Sequence, residues 1–263
     1  MPLLSINKYF ILNIVACFLI GTCIGSFLNV CIYRTPRNIS VITPGSFCPV
    51  CHNNIPFYFN IPVLSYIFLR GYCSSCKNII SIRYPLIELL TGILYALIFV
   101  KSGIGTEMFY WCFFISTLII VSFIDIDYRI IPDRISIPGI FIFSTSCIFL
   151  PEMTFIKSLT GSVTGAAFLY SVAALYYLIK NKEGLGRGDI KLLAMIGAAL
   201  GIKGVFFTIF CGSVLGAISG GIIMIYHKKD INFQIPFAPF LSTGALIYIF
   251  YGNQLINCYL DFL

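Results

Sequence analysis

Long apolar stretches constrain this chain more than any other feature of its sequence. About eight of them occur, most near the 20 residues that an α-helix needs to cross the hydrocarbon core of a bilayer. Charged residues make up only 10% of the 263-residue chain, against about 25% in soluble domains. The composition therefore excludes a soluble globule and predicts an all-α polytopic membrane protein with about eight transmembrane helices. The predicted spans are approximately 10–32, 85–100, 107–126, 135–150, 158–179, 190–202, 205–226 and 236–252.

The basic residues predict how the spans are oriented. The chain carries 17 Lys and Arg against 10 Asp and Glu, and in a membrane protein such an excess collects in cytoplasmic loops. An exocytoplasmic N-terminus makes the 33–84 loop cytoplasmic, and this loop contains no Asp or Glu. The loop could lie against anionic lipid headgroups or bind a basic or acidic peptide partner, or its charge could simply be the positive-inside signal. We expect no nucleic-acid partner. Four basic residues then fall on the opposite side: Lys8, Lys101, Lys157 and Lys203.

Two C-x-x-C pairs stand in this basic loop. Cys48 and Cys51 form the first pair, and Cys73 and Cys76 form the second. Two tight knuckles of this kind can bring four thiolates together around one Zn²⁺, at a spacing close to that of zinc ribbons. Disulfides are the alternative, but the reducing cytoplasm disfavours them. The sequence therefore predicts a structural zinc site that stabilises a loop too small for a strong core.

Two aspartates at the ends of predicted spans are candidate catalytic residues. Asp125 ends the third predicted span and Asp189 begins the sixth, which places both at the cytoplasmic ends of their helices. Ionisable groups within a bilayer are costly and mark functional sites. Two such carboxylates could share a water molecule, so that one draws a proton from the water while the other, protonated, polarises a carbonyl group.

Two further carboxylates compete for a role in this site. Asp127 points away from Asp125 on a helix and fits a solvated turn, so we assign the deeper Asp125 to the site. Glu88 lies just inside the second predicted span. It is either a third functional carboxylate or a buried polar group bonded to a neighbouring helix.

Glycines precede the second candidate aspartate, at Gly184, Gly186 and Gly188. Their spacing is superficially that of a phosphate loop, but no strand precedes them, so the pattern is weak evidence for nucleotide binding. Glycines also let an extended peptide lie close to the backbone. We therefore predict that Gly186 and Gly188 form a substrate-approach loop beside Asp189.

Six segments of the chain match the motifs of one family in order and in spacing. They resemble the bacterial prepilin peptidases, also called type IV leader peptidases. Two positions depart from the family pattern, since Tyr72 stands where many relatives have Lys and Ala238 where Gly is usual. The matching segments are 25–34 (GSFLNVCIYR) with Pro36, the paired C-x-x-C loop, 81–89 (SIRYPLIEL), 124–127 (IDID) with 131–133 (IPD), 186–192 (GRGDIKL) and 235–239 (IPFAP).

The resemblance implies an inner-membrane aspartic endopeptidase of the Gly-x-Gly-Asp type. Such enzymes remove the short basic leader of prepilins and pseudopilins after a Gly, on the cytoplasmic side. Asp125 and Asp189 would be the catalytic pair, and the four loop cysteines would be the zinc ligands. Members with the cysteine loop commonly also N-methylate the new N-terminal residue with S-adenosylmethionine. Tyr72 lies in the part associated with methyl transfer, so a peptidase without methyl transfer is the alternative.

The expected organisation has three parts. Residues 1–32 form the first span, residues 33–84 form the cytoplasmic zinc-binding loop and methyltransferase region, and residues 85–263 form the multi-span aspartic peptidase bundle. A transporter could also contain glycine-broken helices and intramembrane carboxylates, but the sequence shows no internal repeat. A non-enzymatic, zinc-bearing membrane scaffold would not explain the presence of Asp125 and Asp189 at the ends of two spans.

Overall fold

The described part of the chain is helical. The computed structural model describes residues 8–181, 186–227 and 235–260, and within them β-pairing is confined to two isolated bridges. Gly184 and three basic residues predicted to be cytoplasmic (Lys182, Lys228 and Lys229) lie outside the described residues. The α-helices are α1 (Lys8–Arg34), α2 (Leu64–Phe68), α3 (Arg83–Ser102), α4 (Thr106–Tyr128), α5 (Asp133–Ser144), α6 (Ser146–Phe149), α7 (Phe155–Lys180), α8 (Arg187–His227) and α9 (Ala238–Leu260).

Five of the described helices are long and apolar enough to cross a membrane, namely α1, α3, α4, α7 and α8. The prediction of an all-helical multi-pass membrane protein is therefore confirmed, whereas the predicted count of about eight spans is not. The predicted spans 190–202 and 205–226 run together as α8, with a kink at Gly201, whose φ of 71° favours glycine. The predicted span 135–150 is divided into α5 and α6. The 12 residues of α5 extend about 18 Å, less than the hydrocarbon thickness of about 30 Å.

The residues cluster into two compact units, Met1–Ile120 and Val121–Leu263. The boundary falls inside α4. In the first unit, the cysteine loop connects α1 to α3, while the second unit contains the end of α4 and helices α5 to α9. The boundaries predicted from the sequence, after residues 32 and 84, separate regions of different expected function instead of compact units. The predicted division stays a prediction.

Small side chains allow α7 and α8 to pack closely in the second unit. Buried Ser and Gly residues recur along α7 at intervals of three and four. A Cβ atom on Gly161 would overlap the carbonyl oxygen of Gly197. The Ser158 hydroxyl donates to the carbonyl of Ala198 at 2.6 Å. Since lipid offers no hydrophobic drive for helix association, this close contact and the interhelical hydrogen bond hold the two helices together.

We expect Gly197→Ala to destabilise the second unit. The new Cβ would stand 2.8 Å from Val205 Cγ2 and would also overlap Gly161, and such overpacking costs about 1–3 kcal/mol. Gly221→Ala is the matched control on α8, because no atom lies within 4 Å of the added Cβ. Thermal unfolding in detergent should show a lower midpoint for Gly197→Ala alone. Equal midpoints would contradict the close packing.

Candidate active site and metal centre

Asp125 lies in the last turn of α4 with its carboxylate shielded from solvent. The residue is 6% exposed. The Ala238 amide, the first of α9, donates to Asp125 Oδ2 at 3.1 Å, and the Phe237 amide also bonds to this carboxylate. The first amides of a helix lack intrahelical acceptors and carry the positive end of the helix dipole. Asp125 therefore accepts hydrogen bonds from the otherwise unpaired amides at the N-terminus of α9, and this contact brings the 235–239 segment next to Asp125.

Asp189 lies in the first turn of α8 and is half-buried. Its amide donates to the Gly186 carbonyl at 3.1 Å, and the Gly186 amide bonds to its carboxylate. A Cβ on Gly186 would stand 3.1 Å from Asp189 Oδ2. A Cβ on Gly188 would stand 2.8 Å from Ile131 Cβ. Glycine at 188 thus permits the start of α8 to pack against the turn before α5, a structural reason that the sequence did not reveal.

The two candidate aspartates come together in the second unit. The chain that leaves α4 after Asp125 packs Ile131 against Gly188, the neighbour of Asp189, so the two carboxylates lie in one region and the charge of Asp125 is felt at Asp189. Neighbouring carboxylates of this kind do not ionise independently, because a second negative charge is costly beside the first. The pair can therefore hold a proton on one member while the other is ionised.

Asp127 lies on the exposed side of α4, opposite the buried Asp125. This difference in burial follows from their two-residue separation on a helix.

An ion pair near the site joins α8 to α5. It is formed by Lys191 Nζ and Asp133 Oδ1, which are 2.5 Å apart. It joins the N-terminal part of α8 to the first turn of α5 and helps to fix the start of the helix that carries Asp189. Sequence reasoning missed this pair, because nothing in its wide separation along the chain indicates a contact.

The four loop cysteines converge in the first unit. The sulfur atoms of Cys48, Cys51, Cys73 and Cys76 all lie within 4.8 Å of one another and could hold a metal ion. The Cys48 and Cys76 sulfurs are 3.9 Å apart. This separation is close to the roughly 3.8 Å between tetrahedral ligands at a Zn–S distance of about 2.3 Å. The cluster therefore has the ligands and dimensions of a tetrathiolate metal site.

The two cysteine knuckles share one backbone design. The Cys48 amide donates to the Asn53 carbonyl at 3.0 Å, and the Cys73 amide donates to the Asn78 carbonyl at 2.8 Å. The residue after each pair has a φ of 58°, and an isolated β-bridge flanks each knuckle. The repeated turn explains how two short C-x-x-C motifs bring their sulfurs to one point.

The electrostatics of the cluster favour a thiolate at Cys73. The backbone amides of Cys76 and Ser75 donate to the Cys73 sulfur and lower the pKa of that thiol to about 6. A thiolate is the form that binds metal. His52 lies beside the cluster but is absent from it; its ring stacks on Phe47 at a centroid distance of 6.0 Å.

Glu88 lies in α3 of the first unit and is 8% exposed. Its Oε2 accepts a hydrogen bond from the Val63 amide at 2.8 Å, and the Ser26 hydroxyl of α1 also bonds to the carboxylate. Both donors are neutral. Glu88 is therefore a buried carboxylate with hydrogen bonds to the cysteine loop and to α1, which both sequence interpretations allow.

Two family models match the chain. The Bacterial Peptidase A24 N-terminal domain matches residues 19–102, and the Type IV leader peptidase family matches residues 112–221. A Bacillus subtilis protein named prepilin leader peptidase/N-methyltransferase is 35% identical, with 92% of this chain and 96% of the relative covered. This chain belongs to the Type IV leader peptidase family.

Other members of the family agree over similar lengths. A Pseudomonas aeruginosa protein of the same name is 34% identical over 100% of this chain and 99% of its own. A Neisseria gonorrhoeae protein of that name is 34% identical over 89% of each chain. No solved structure matches the chain. The four cysteines fall in the N-terminal match, and the two candidate aspartates fall in the leader peptidase match.

Proposed function

We propose that this chain is a membrane aspartic endopeptidase that removes the basic leader of prepilins or pseudopilins after a Gly. Family membership indicates this reaction, and the observation that carries the assignment of residues is that the helix ends bearing Asp125 and Asp189 lie in one unit, with Ile131 packed against Gly188 between them. These carboxylates come from two helices of one unit, and an aspartic peptidase needs two carboxyl groups at one site.

The proposed mechanism divides the acid and base functions between the two aspartates. The ionised carboxylate takes a proton from a water molecule, whose oxygen attacks the carbonyl carbon of the scissile bond. The protonated carboxyl donates to the carbonyl oxygen and stabilises the developing negative charge. The proton taken from water then passes to the leaving amine as the C–N bond breaks. A single carboxylate could not supply both functions at once.

The glycines before Asp189 form the proposed approach path for the substrate. Gly186 is exposed and borders the Asp189 carboxylate. Without a side chain at this position, an extended peptide can lie close to the backbone and to the carboxylate. The Gly residue before the scissile bond is equally small, so the substrate and the loop can both approach closely.

The cysteine cluster is the proposed site of one structural Zn²⁺. Four thiolates leave no open coordination position, so the metal would stabilise the loop instead of taking part in cleavage. Names of relatives that include N-methyltransferase also support transfer of a methyl group to the new N-terminus. S-adenosylmethionine would supply that methyl group.

The proposed location is the bacterial inner membrane, where the long apolar helices would contact lipid. In the proposed orientation the N-terminus faces away from the cytoplasm, and the basic cysteine loop and the ends of α4 and α8 that carry the aspartates are on the cytoplasmic side. Prepilins carry their basic leader on this side, so enzyme and substrate would meet there.

A direct test is incubation of the detergent-purified protein with a full-length prepilin. The expected result is a shorter product on a gel, because cleavage removes the leader. A prepilin whose Gly before the cleavage site is replaced by a bulky residue is the control and should remain intact. Failure to cut the unaltered prepilin would favour the transporter or scaffold alternatives.

A further inference from the structure

The first unit contains a cavity that the proposed peptidase reaction does not use. Its volume is about 380 Å³, within the range of roughly 300–1,000 Å³ that holds cofactors and other small ligands. Residues of α1, of α3 and of the cysteine loop form its walls. Cys48 and Cys73 are among them, so one side of the cavity is built on the metal cluster.

Two of the family-like segments supply the helical walls. Ser26, Asn29, Val30 and Tyr33 recur on α1 at intervals of three and four, which puts them on one helix face. The 81–89 segment contributes the facing wall at the start of α3. Neither segment belongs to the unit that carries Asp125 and Asp189. A cavity lined by these motifs therefore gives them a role separate from cleavage.

The charge in the cavity favours a cationic ligand. Among the described residues that line the cavity, Glu88 is the only carboxylate, and its two hydrogen-bond donors are neutral. The guanidinium of Arg34 also lines the cavity and keeps its positive charge, but the carbonyls of Ser40, Pro44 and Gly45 accept its hydrogen bonds at 2.8–3.0 Å and hold it against the loop that follows α1. Glu88, on α3, is the charged group that can accept from a ligand. A positive group on a ligand would therefore be drawn to Glu88, in surroundings where burial strengthens the attraction.

The aromatic rings of the cavity favour a ligand with a flat heterocycle. Tyr33, Phe59 and Tyr84 lie among the lining residues. Aromatic side chains stack on flat rings and attract cations to their faces. A sulfonium cation joined to an adenosine group combines both properties.

We propose that this cavity binds S-adenosylmethionine, with the Glu88 carboxylate facing the positively charged sulfonium. The proposal rests on the methyl transfer proposed above, and it names the site and the residue that recognises the methyl donor. Glu88 would then give the pocket its preference for a positively charged ligand. The residues that line this pocket are separate from Asp125 and Asp189.

The test compares two ligands that differ in charge at sulfur. Binding of S-adenosylmethionine and of the neutral S-adenosylhomocysteine is measured by calorimetry on the full-length protein in detergent. Glu88→Gln keeps an acceptor for the Val63 amide but removes the charge. It should weaken S-adenosylmethionine binding about tenfold and change S-adenosylhomocysteine binding less than about twofold. Glu107→Gln is the matched control, because Glu107 belongs to the same unit, accepts a hydrogen bond from Trp111 and does not line the cavity.

Three further measurements make the result decisive. Glu88→Asp should retain most of the preference for the charged ligand, and prepilin cleavage should be unchanged in every variant. Val30→Phe should weaken both ligands by filling the cavity, so the location is tested even if Glu88→Gln does not fold. Equal effects of Glu88→Gln on both ligands, or none on either, would overturn the proposal. Cleavage without methyl-donor binding by the unaltered protein would overturn it while leaving the peptidase assignment intact.

Discussion

Replacing either Asp125 or Asp189 by asparagine is expected to abolish leader cleavage. Each substitution keeps the size of the side chain but removes one of the two carboxyl groups that must act as base and acid. The loss should be on the order of 10³-fold or more, because each proton-transfer function contributes about 10²–10⁴-fold. The initial rate of prepilin cleavage, measured at matched concentrations of membrane-inserted protein, gives the effect.

Asp127→Asn is the matched control for this prediction. The substitution is the same and lies on the same helix, but Asp127 is exposed whereas Asp125 is buried. We expect Asp127→Asn to retain most of the activity. An inactive Asp127→Asn together with an active Asp125→Asn would show that the wrong aspartate of α4 is assigned.

Cys73→Ser is expected to remove the metal and to loosen the cysteine loop. The bound zinc, measured by mass spectrometry of the purified protein, should fall from about one atom per chain to nearly none, because a serine hydroxyl is a poor replacement for a thiolate ligand. The loop should then be cut readily by an added protease. Since Cys73 also lines the cavity, N-methylation should fall far more than cleavage.

Cys23→Ser provides the comparison for the cysteine substitution. Cys23 is exposed and lies on α1, outside the metal cluster, so its loss should leave both zinc content and protease resistance unchanged. A protein that contains no metal, with a loop that resists protease equally in all three forms, would contradict the structural zinc site.

The helical fold and the metal cluster were accessible from the sequence because their signals are local. Apolar length alone predicts membrane helices, and two C-x-x-C pairs predict a shared metal ion through ligand chemistry. The separation of Asp125 from Asp127 was also accessible, since two residues on a helix point in different directions. Their burial in the structure differs accordingly.

The count of spans depends on details that hydropathy does not resolve. Whether residues 190–226 form one helix or two depends on the backbone conformation at Gly201. The sequence does not decide this, because a glycine is compatible with either a kink or a helix end. The 135–150 segment contains no charged residue, yet it divides at Thr145, which is the junction of α5 and α6.

Long-range contacts also lay beyond the sequence. Arg34 reads as one more positive charge at the cytoplasmic end of a span, but it is buried and holds the following loop through three carbonyl groups. The cavity beside it draws its walls from α1, α3 and the cysteine loop. No single segment of the sequence indicates that Glu88 lines such a cavity. The surroundings of Glu88 could therefore be recognised only in the structure.

The most direct test of the central claim is the mass of the pilin N-terminus after incubation of prepilin with the purified protein and S-adenosylmethionine. The unaltered protein should yield a chain that begins directly after the Gly of the leader and carries one added methyl group. Asp125→Asn and Asp189→Asn should leave the leader in place. An intact leader with the unaltered protein, or normal cleavage by both aspartate variants, would contradict the assignment of this chain as an Asp125–Asp189 leader peptidase.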